Sequence, residues 1–467
     1  MAADGSATSS SATNNRRGKS ALFLVACGIA GMGPHWLDPG LRLVPATTLA
    51  VLLGGFSVHT VLLPALARRS AAGSGAVPGA TAGEASPVAS MASDQGPATR
   101  SPATAPAVDL VVAARDEQAV IGRLVEGIAR LRYPAAALRL WVIDDGSSDR
   151  TPLVLADLKE RHPFLRVLRR EPDAGGGKSG ALNLALQQLE APWMLVLDAD
   201  ADLQPDTLER LMPLAEQGGW GAVQLRKAVV NPDANWLTRA QAMEMALDTV
   251  VQEGRQRRGG VVELRGNGQL LRRSALEQAG GFNEETVTDD LDLSFRLVLD
   301  QQPVAILWDP PVQEEAVLSV AALWRQRQRW AEGGLQRFFD YSPGLLSGRL
   351  SGARKLDLAG FFLLQYVLPV MAAADLLGSA ITRTPPTIWP LSLVAFSLSG
   401  LSILLGCRRS SEGPPMPAMH PVNLLVGILY LGHWFLVIPY TTLRMALRPK
   451  RLVWAKTLHI GEGSAPA

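Results

Sequence analysis

The chain is 467 residues long, with Lys+Arg 45 against Asp+Glu 43 and a formal net charge of +2. That leaves room for a catalytic domain and a second unit, and carries no global charge that would draw the protein to nucleic acid. Cys27 and Cys407 lie in or beside apolar stretches at no CxxC spacing, which argues against a disulfide framework and a zinc site.

Residues 1–19 are rich in Ser, Ala, Thr and Asn, end on Arg16, Arg17 and Lys19, and are expected to be disordered. Apolar runs follow at 21–33 and 43–66, the second closing on Arg68-Arg69. A signal peptide starts in a similar way. A basic flank on each outer side of paired apolar runs is, however, what the positive-inside rule expects of a transmembrane hairpin over 20–67 with both ends cytoplasmic. Residues 70–106 are Ala, Gly, Ser, Pro and Thr with almost no large apolar side chain; such a segment cannot bury enough surface to offset its ordering entropy and is read as a disordered linker.

From Val108 short β-rich runs (108–113, 138–143, 165–168, 193–197) alternate with helix-like segments such as 118–131 and 180–189. This alternation predicts an α/β domain over 107–341 on a largely parallel sheet. Polar clusters sit just after three of these runs, namely Arg115-Asp116-Glu117, Asp144-Asp145-Gly146-Ser147 and Asp198-Ala199-Asp200-Ala201-Asp202. In open α/β sheets ligands bind outside the carboxyl ends of the strands, so the three clusters describe one crevice. Alternating acids at a strand tip place oxygen ligands for a hard cation such as Mg²⁺, which commonly comes with phosphate; alone, they would serve equally as a solvated turn.

Lys178 follows Gly175-Gly176-Gly177, but a Walker A loop needs a glycine where Pro172 stands, so that motif is excluded. A lysine carried by a glycine loop can still meet a diphosphate as a point charge. Thr288-Asp289-Asp290 opens a helical pattern, with Thr288 placed to cap it and the acids suited to the helix dipole. Two adjacent carboxylates also raise the pKa of one of them, which suits a general base. The segment 323–330, Leu-Trp-Arg-Gln-Arg-Gln-Arg-Trp, reads as a basic amphipathic stretch for anionic headgroups. Phe338, Phe339 and Tyr341 in 335–346 are expected in the membrane interface. Arg255, Arg257 and Arg258 read as a solvated or lipid-facing edge, and His35, His59 and His433 as packing residues without ligand spacing.

Past Tyr341 apolar runs recur at 356–381, 388–406 and 422–443, each near the roughly 20 residues a spanning helix needs. They form a membrane domain of two or three helices over 342–447, followed by a basic tail, 448–467. A cytoplasmic tail requires that one run not cross, and 356–381, with Pro369 and Asp375, is the expected one.

Asp144-Asp145-Gly-Ser, Asp198-Ala-Asp200, Thr288-Asp-Asp290 and Gln326-Arg-Gln-Arg-Trp330 occur in this order, and over about residues 107–341 the chain resembles glycosyltransferase family 2, the group of cellulose, chitin and hyaluronan synthases. Finer stretches, Glu263-Leu-Arg-Gly-Asn-Gly-Gln269 and Arg329-Trp-Ala-Glu-Gly-Gly334 among them, are similar to the cyanobacterial β-monoglucosyldiacylglycerol synthases. The resemblance implies a GT-A, Rossmann-like domain flanked by transmembrane helices at both ends, its catalytic face cytoplasmic, in the cell inner membrane or thylakoid. It implies inverting transfer of glucose from UDP-glucose to diacylglycerol, with Mg²⁺. Asp144 and Asp145 would hold uracil and ribose, Lys178 the diphosphate, Asp198 nucleotide and metal, and Asp200 the metal. Asp290, beside Asp289, would be the base, although many relatives carry Glu-Asp at this pair. Gln326, Arg329 and Trp330 would line the acceptor mouth and grip the leaving diphosphate. Asp202 drops out of this set. A processive polysaccharide synthase, a polyprenyl-phosphate sugar transferase and a non-catalytic nucleotide-sugar receptor stay open as alternatives.

Overall fold

The computed structural model describes residues 7–64 and 105–448; the expected linker up to residue 104 and the tail beyond Arg448 fall outside them. Helix α1 (Ala7–Met32) begins inside the stretch that composition reads as disordered. Extending a helix costs far less than nucleating one, and no Pro and a single glycine, Gly18, lie in residues 7–19, so the apolar turns after Lys19 propagate backwards. Helix α2 (Val44–Leu62) follows and is long and apolar enough to cross a membrane.

The catalytic domain runs through β1 (Val108–Ala114), α3 (Ile121–Ala129), β2 (Leu138–Asp145), α4 (Thr151–Arg161), β3 (Leu165–Arg170), α5 (Gly177–Leu186), β4 (Trp193–Leu197), β5 (Asp202–Leu203), α6 (Thr207–Gln217), β6 (Ala222–Val229), α7 (Trp236–Arg257), β7 (Gln269–Arg272), α8 (Arg273–Gln278), α9 (Asp289–Leu299) and β8 (Val304–Glu314). Its eight-stranded sheet has the order β3-β2-β1-β4-β7-β6-β8-β5. The first four strands are parallel, as expected. The sheet as a whole is mixed, because β7 runs antiparallel to both β4 and β6, and β5 antiparallel to β8. Four residues of β7 and two of β5 are too short to show a period.

Helices cover both faces of the sheet, so β1 and β4 are buried throughout and lack the alternation of a half-exposed strand. Leu110, Val112 and Leu195 point to one core with Leu124, Leu155 and Leu208. Val111, Met194 and Val196 point to the other with Leu182, Leu276 and Leu293.

Helix α10 (Val320–Leu346) leads out of the domain to α11 (Gly352–Thr382), α12 (Trp389–Arg409), α13 (Pro421–Leu431) and α14 (Trp434–Leu447). Phe338 and Phe339 are buried, and Tyr341 bonds Asp292 at 2.9 Å. The 335–346 segment is therefore a seam between α9 and α11 and not an open interfacial patch, because its aromatics find Phe295, Phe362 and Tyr366 as partners.

The run expected not to cross, 356–381, is part of the 31-residue α11, which has the length and hydropathy of a span. Both grounds for doubting it are answered locally. Pro369 sits in a first turn after a π-turn, where a missing N–H is tolerated. Asp375 is buried and accepts from Thr387 N (2.8 Å) and Thr387 Oγ1 (2.7 Å), with His35 Nε2 at 2.8 Å. The segment Pro421–Leu447 also has the length and hydropathy of a span, but its local structure differs. It breaks at Gly432-His433, and both of its ends meet the catalytic side. Ahead of it, Glu412 pairs with Arg210 (2.7 Å). At its far end Arg444 pairs with Glu332 and bonds Gln328 of α10.

Candidate active site

The carboxyl ends of β1 and β4, the start of α5, the start of α9 and one face of α10 converge on a single cavity of about 940 Å³. Gly175, Gly176 and Gly177 have φ of 71°, 65° and 51°, values only glycine adopts at low cost. They turn the chain so that the N-terminus of α5 faces the cavity, with Lys178 in its first turn. Lys178 Nζ lies 2.6 Å from Asp198 Oδ1.

Burial disfavours the charged Asp198 carboxylate, yet the bonded Lys178, with Lys227 and Arg329, holds its pKa below the ordinary value. The Lys178 ammonium, which burial alone would destabilise, is raised by Asp198, Asp289 and Asp290. Asn267 Oδ1 accepts from Asp198 N (3.1 Å), Asn267 Nδ2 donates to Glu314 (3.2 Å), and Glu314 pairs with Lys227 (2.8 Å). Asp200 accepts from Glu315 N at 3.0 Å and lines the same cavity. Asp202 opens β5 and is not among the lining residues.

Asp290 accepts from its neighbour's amide, Leu291 N, at 2.8 Å. Burial, then the adjacent Asp289, pushes its pKa up to about 6, a value suited to accepting a proton near neutral pH. Thr288 stands at the cap position of α9 but makes no capping bond. Its side chain packs instead against Gly333 of α10, where any Cβ would overlap Thr288 Oγ1. Gln326, Arg329 and Trp330 line the cavity. Arg327 does not face headgroups: it is fully buried, pairs with Glu244 and stacks on Trp330 at 4.0 Å.

The structure thus brings together Lys178, Asp198, Asp200, Asp289, Asp290, Gln326, Arg329 and Trp330. Asp144 and Asp145 are buried just behind and do not line the cavity; Arg115, Asp116 and Glu117 do. Asp145 is held by Arg170 at 2.5 Å, and that guanidinium also ties down the Gly175 and Gly177 carbonyls. Burial raises the Asp145 pKa in spite of Arg170. Sequence reasoning missed Lys227, Glu314 and Arg170, which carry no motif and meet the site only through the sheet order.

A second group it misread is Arg255, placed on an exposed edge. Arg255 is buried and bonds Asp357 from both Nε (3.1 Å) and Nη2 (2.8 Å). Asp357 at the start of α11 neutralises it, a partner 102 residues away that no local pattern reveals.

The bonded Lys178–Asp198 pair thus shares one cavity with Asp290, a buried carboxylate of raised pKa. Residues 106–333 match the family described as glycosyltransferase like family 2. Over 360 residues the chain is 46% identical to a β-monoglucosyldiacylglycerol synthase of Synechocystis sp., covering 76% of this chain and 75% of that protein. The chain belongs to glycosyltransferase family 2.

Other family 2 relatives place it further. A β-monoglucosyldiacylglycerol synthase of Trichormus variabilis is 44% identical over 362 residues, 77% of each chain. A poly-β-1,6-N-acetyl-D-glucosamine synthase of Staphylococcus epidermidis is 26% identical over 252 residues, 52% of this chain and 58% of that one. Among solved structures, the mannosyltransferase PcManGT of Pyrobaculum calidifontis, in complex with GDP-Man and Mn²⁺, aligns with a TM-score of 0.54 at 20% identity, over 78% of this chain and 98% of that chain. At that identity it establishes the GT-A fold of this family 2 enzyme and no more.

Proposed function

We propose that this enzyme transfers glucose from UDP-glucose to the free hydroxyl of a diacylglycerol, with inversion, at a membrane surface. The observation that carries this is the continuity of the cavity. One wall holds Lys178, Asp198 and Asp290; the other is made by Leu53 and Phe56 of α2, Leu364 and Leu368 of α11, and Leu391, Val394 and Leu398 of α12. A polar reaction centre that opens onto apolar side chains of membrane-length helices suits an acceptor with a hydroxyl head and hydrocarbon tails. The two β-monoglucosyldiacylglycerol synthases above support the same assignment.

In the proposed reaction the acceptor oxygen attacks the anomeric carbon of the donor, the bond from that carbon to the diphosphate oxygen breaks, and UDP leaves with the electron pair. Asp290 takes the hydroxyl proton. Attack opposite the leaving group converts an α-linked donor into a β product. Lys178 and Arg329 face the charge that builds on the diphosphate.

Asp198 and Asp200 are the carboxylates fit to hold Mg²⁺. Among the described residues no group of three or more His, Cys, Asp or Glu forms a metal cluster, so a cation here would complete its shell from phosphate and water, as Mg²⁺ commonly does. When bound, it would add Lewis-acid neutralisation of the leaving group.

If α2, α11 and α12 cross together with α1, and α13–α14 enters and returns on one side, Arg16 and Arg444 would both lie beside the catalytic domain, where each meets Glu332. Arg16, Arg17, Arg409 and Arg444 gather on that side, which supports a cytoplasmic catalytic face. Replacement of Asp290 by Asn tests the chemistry: transfer is expected to fall by about 10²–10⁴-fold, with UDP binding by calorimetry unchanged. Near-wild-type turnover would remove Asp290 from the role of base.

A further inference from the structure

In a single displacement the anomeric carbon lies between the diphosphate it leaves and the base that activates the acceptor. The sugar ring must then sit over the wall that joins Asp198 to Asp290. That wall is short. Asn267 Oδ1 accepts from Asp198 N at 3.1 Å, and a Cβ on its neighbour Gly266 would stand 3.3 Å from Asp290 Oδ2. Two charged side chains flank this span, Lys227 near the end of β6 and Glu314 closing β8. Lys227 Nζ lies 2.8 Å from Glu314 Oε1 and 3.5 Å from the Arg265 carbonyl, while Glu314 Oε2 accepts from Asn267 Nδ2 at 3.2 Å. Both line the cavity, with 11% and 15% of their side chains exposed, and the Trp330 ring stands 5.7 Å from the ammonium.

The hydrogen-bonding capacity of this pair suits a hydroxyl-rich ring. An ammonium has three N–H donors and a carboxylate about four acceptor positions. Lys227 commits one donor to Glu314 and one to Arg265, and Glu314 accepts from Lys227 and Asn267, which leaves one N–H and two acceptor positions at the cavity wall. A sugar hydroxyl donates and accepts, so it can use both sides of the pair in charge-assisted bonds. Diphosphate oxygens only accept, and the Glu314 carboxylate repels them. Among the described residues Glu314 does not join Asp198 and Asp200 in a three-acid metal cluster. The fully buried Asn267 bonds both Asp198 and Glu314 and so fixes the acid at the wall relative to the acid beside Lys178. Pairing of β6 with β8 slips between Leu225 and Lys227, and such bulges re-aim side chains beside active sites.

We propose that the Lys227–Glu314 pair is the subsite that recognises the hydroxyls of the transferred hexose, with Glu314 accepting from two neighbouring ring hydroxyls and Lys227 donating to one of them. The assignment rests on the UDP-glucose donor reading above and names the side chains that read its sugar. It separates the residues that select the sugar from Lys178 and Asp198, which serve the diphosphate end in that reading.

The test measures binding by calorimetry, with full-length protein in nanodiscs free of diacylglycerol and with Mg²⁺ present. Wild type is titrated with UDP, with UDP-glucose and with each monodeoxy analogue of UDP-glucose. Removing either of two neighbouring hydroxyls is expected to weaken binding roughly tenfold, the size of a hydrogen bond lost to a charged group. Glu314→Gln is expected to bind UDP-glucose roughly tenfold more weakly and UDP as tightly as wild type. In that variant the penalty for the same two hydroxyls should largely vanish, as for groups that act on each other directly. Monodeoxy analogues that all bind wild type as UDP-glucose does, or penalties that persist undiminished in Glu314→Gln, would overturn the subsite. An equal loss of UDP and UDP-glucose affinity would also overturn it, since that marks a prop for Asp198 acting through Asn267. Tighter wild-type binding of a different UDP-hexose is a separate outcome: it overturns the donor assignment, and the same titrations with that sugar's monodeoxy analogues then decide the subsite. The wild-type arm needs no variant, so the inference stays open to refutation even if Glu314→Gln fails to fold.

Discussion

At the scale of single residues the site works by setting two carboxylates apart. Asp198 lies against Lys178 and is held ionised, while Asp290, next to Asp289 and away from any bonded cation, is pushed up to about 6. One acid is thereby suited to staying negative near the donor and the other to taking up a proton. A base must be deprotonated to act, so log kcat/KM is expected to rise with unit slope below about pH 6 and level off above it. Because the Asp289 charge is the second largest cause of the shift, after burial, Asp289→Asn is expected to move that limb to lower pH. A limb that stays in place in Asp289→Asn would show that another group sets it.

At the scale of elements the site depends on how closely α9 and α10 approach. Gly333 is the contact point, since a side chain there would enter the space of Thr288, one residue before the Asp289-Asp290 pair. Gly333→Val is therefore expected to cost roughly 1–3 kcal/mol by overpacking, read as a shift of the urea midpoint in detergent. It should also lower kcat more than UDP affinity, because Trp330 and Asp290 move apart while the Lys178–Asp198 pair does not. Unchanged stability and turnover would show that α10 can slide without penalty.

Legibility of the elements followed their locality. β1, β2 and β4, the Lys178 loop and the α9 and α10 motifs could be read because apolar runs and the polar residues that end them are consecutive in sequence. β7, β5 and the partners Lys227, Glu314 and Asp357 could not, because each is defined by what it meets across the fold. Thr288 shows a further limit: its position is that of a cap, but packing against Gly333 takes the place of the capping bond. Arg255 and Arg327 show the reverse, basic residues that read as surface and are buried because Asp357 and Glu244 neutralise them.

At the scale of the whole molecule the helices of membrane-spanning length and the sheet share one cavity, so orientation and acceptor delivery are one question. With Pro421–Leu447 returning to the side it left, cysteines introduced at Asp38 and Arg383 are expected to label only from the face opposite the catalytic domain. One introduced at Ser411 should label from the catalytic face. Labelling of Asp38 and Ser411 from the same side would contradict this arrangement. The most direct test of the whole proposal is product analysis with purified protein in diacylglycerol-containing nanodiscs and labelled UDP-glucose. The expected product is a neutral lipid carrying a single β-linked glucose on the glycerol hydroxyl, with the anomer read from its NMR coupling. Label in an insoluble polymer, on a lipid phosphate, or in an α-linked glycolipid would contradict it.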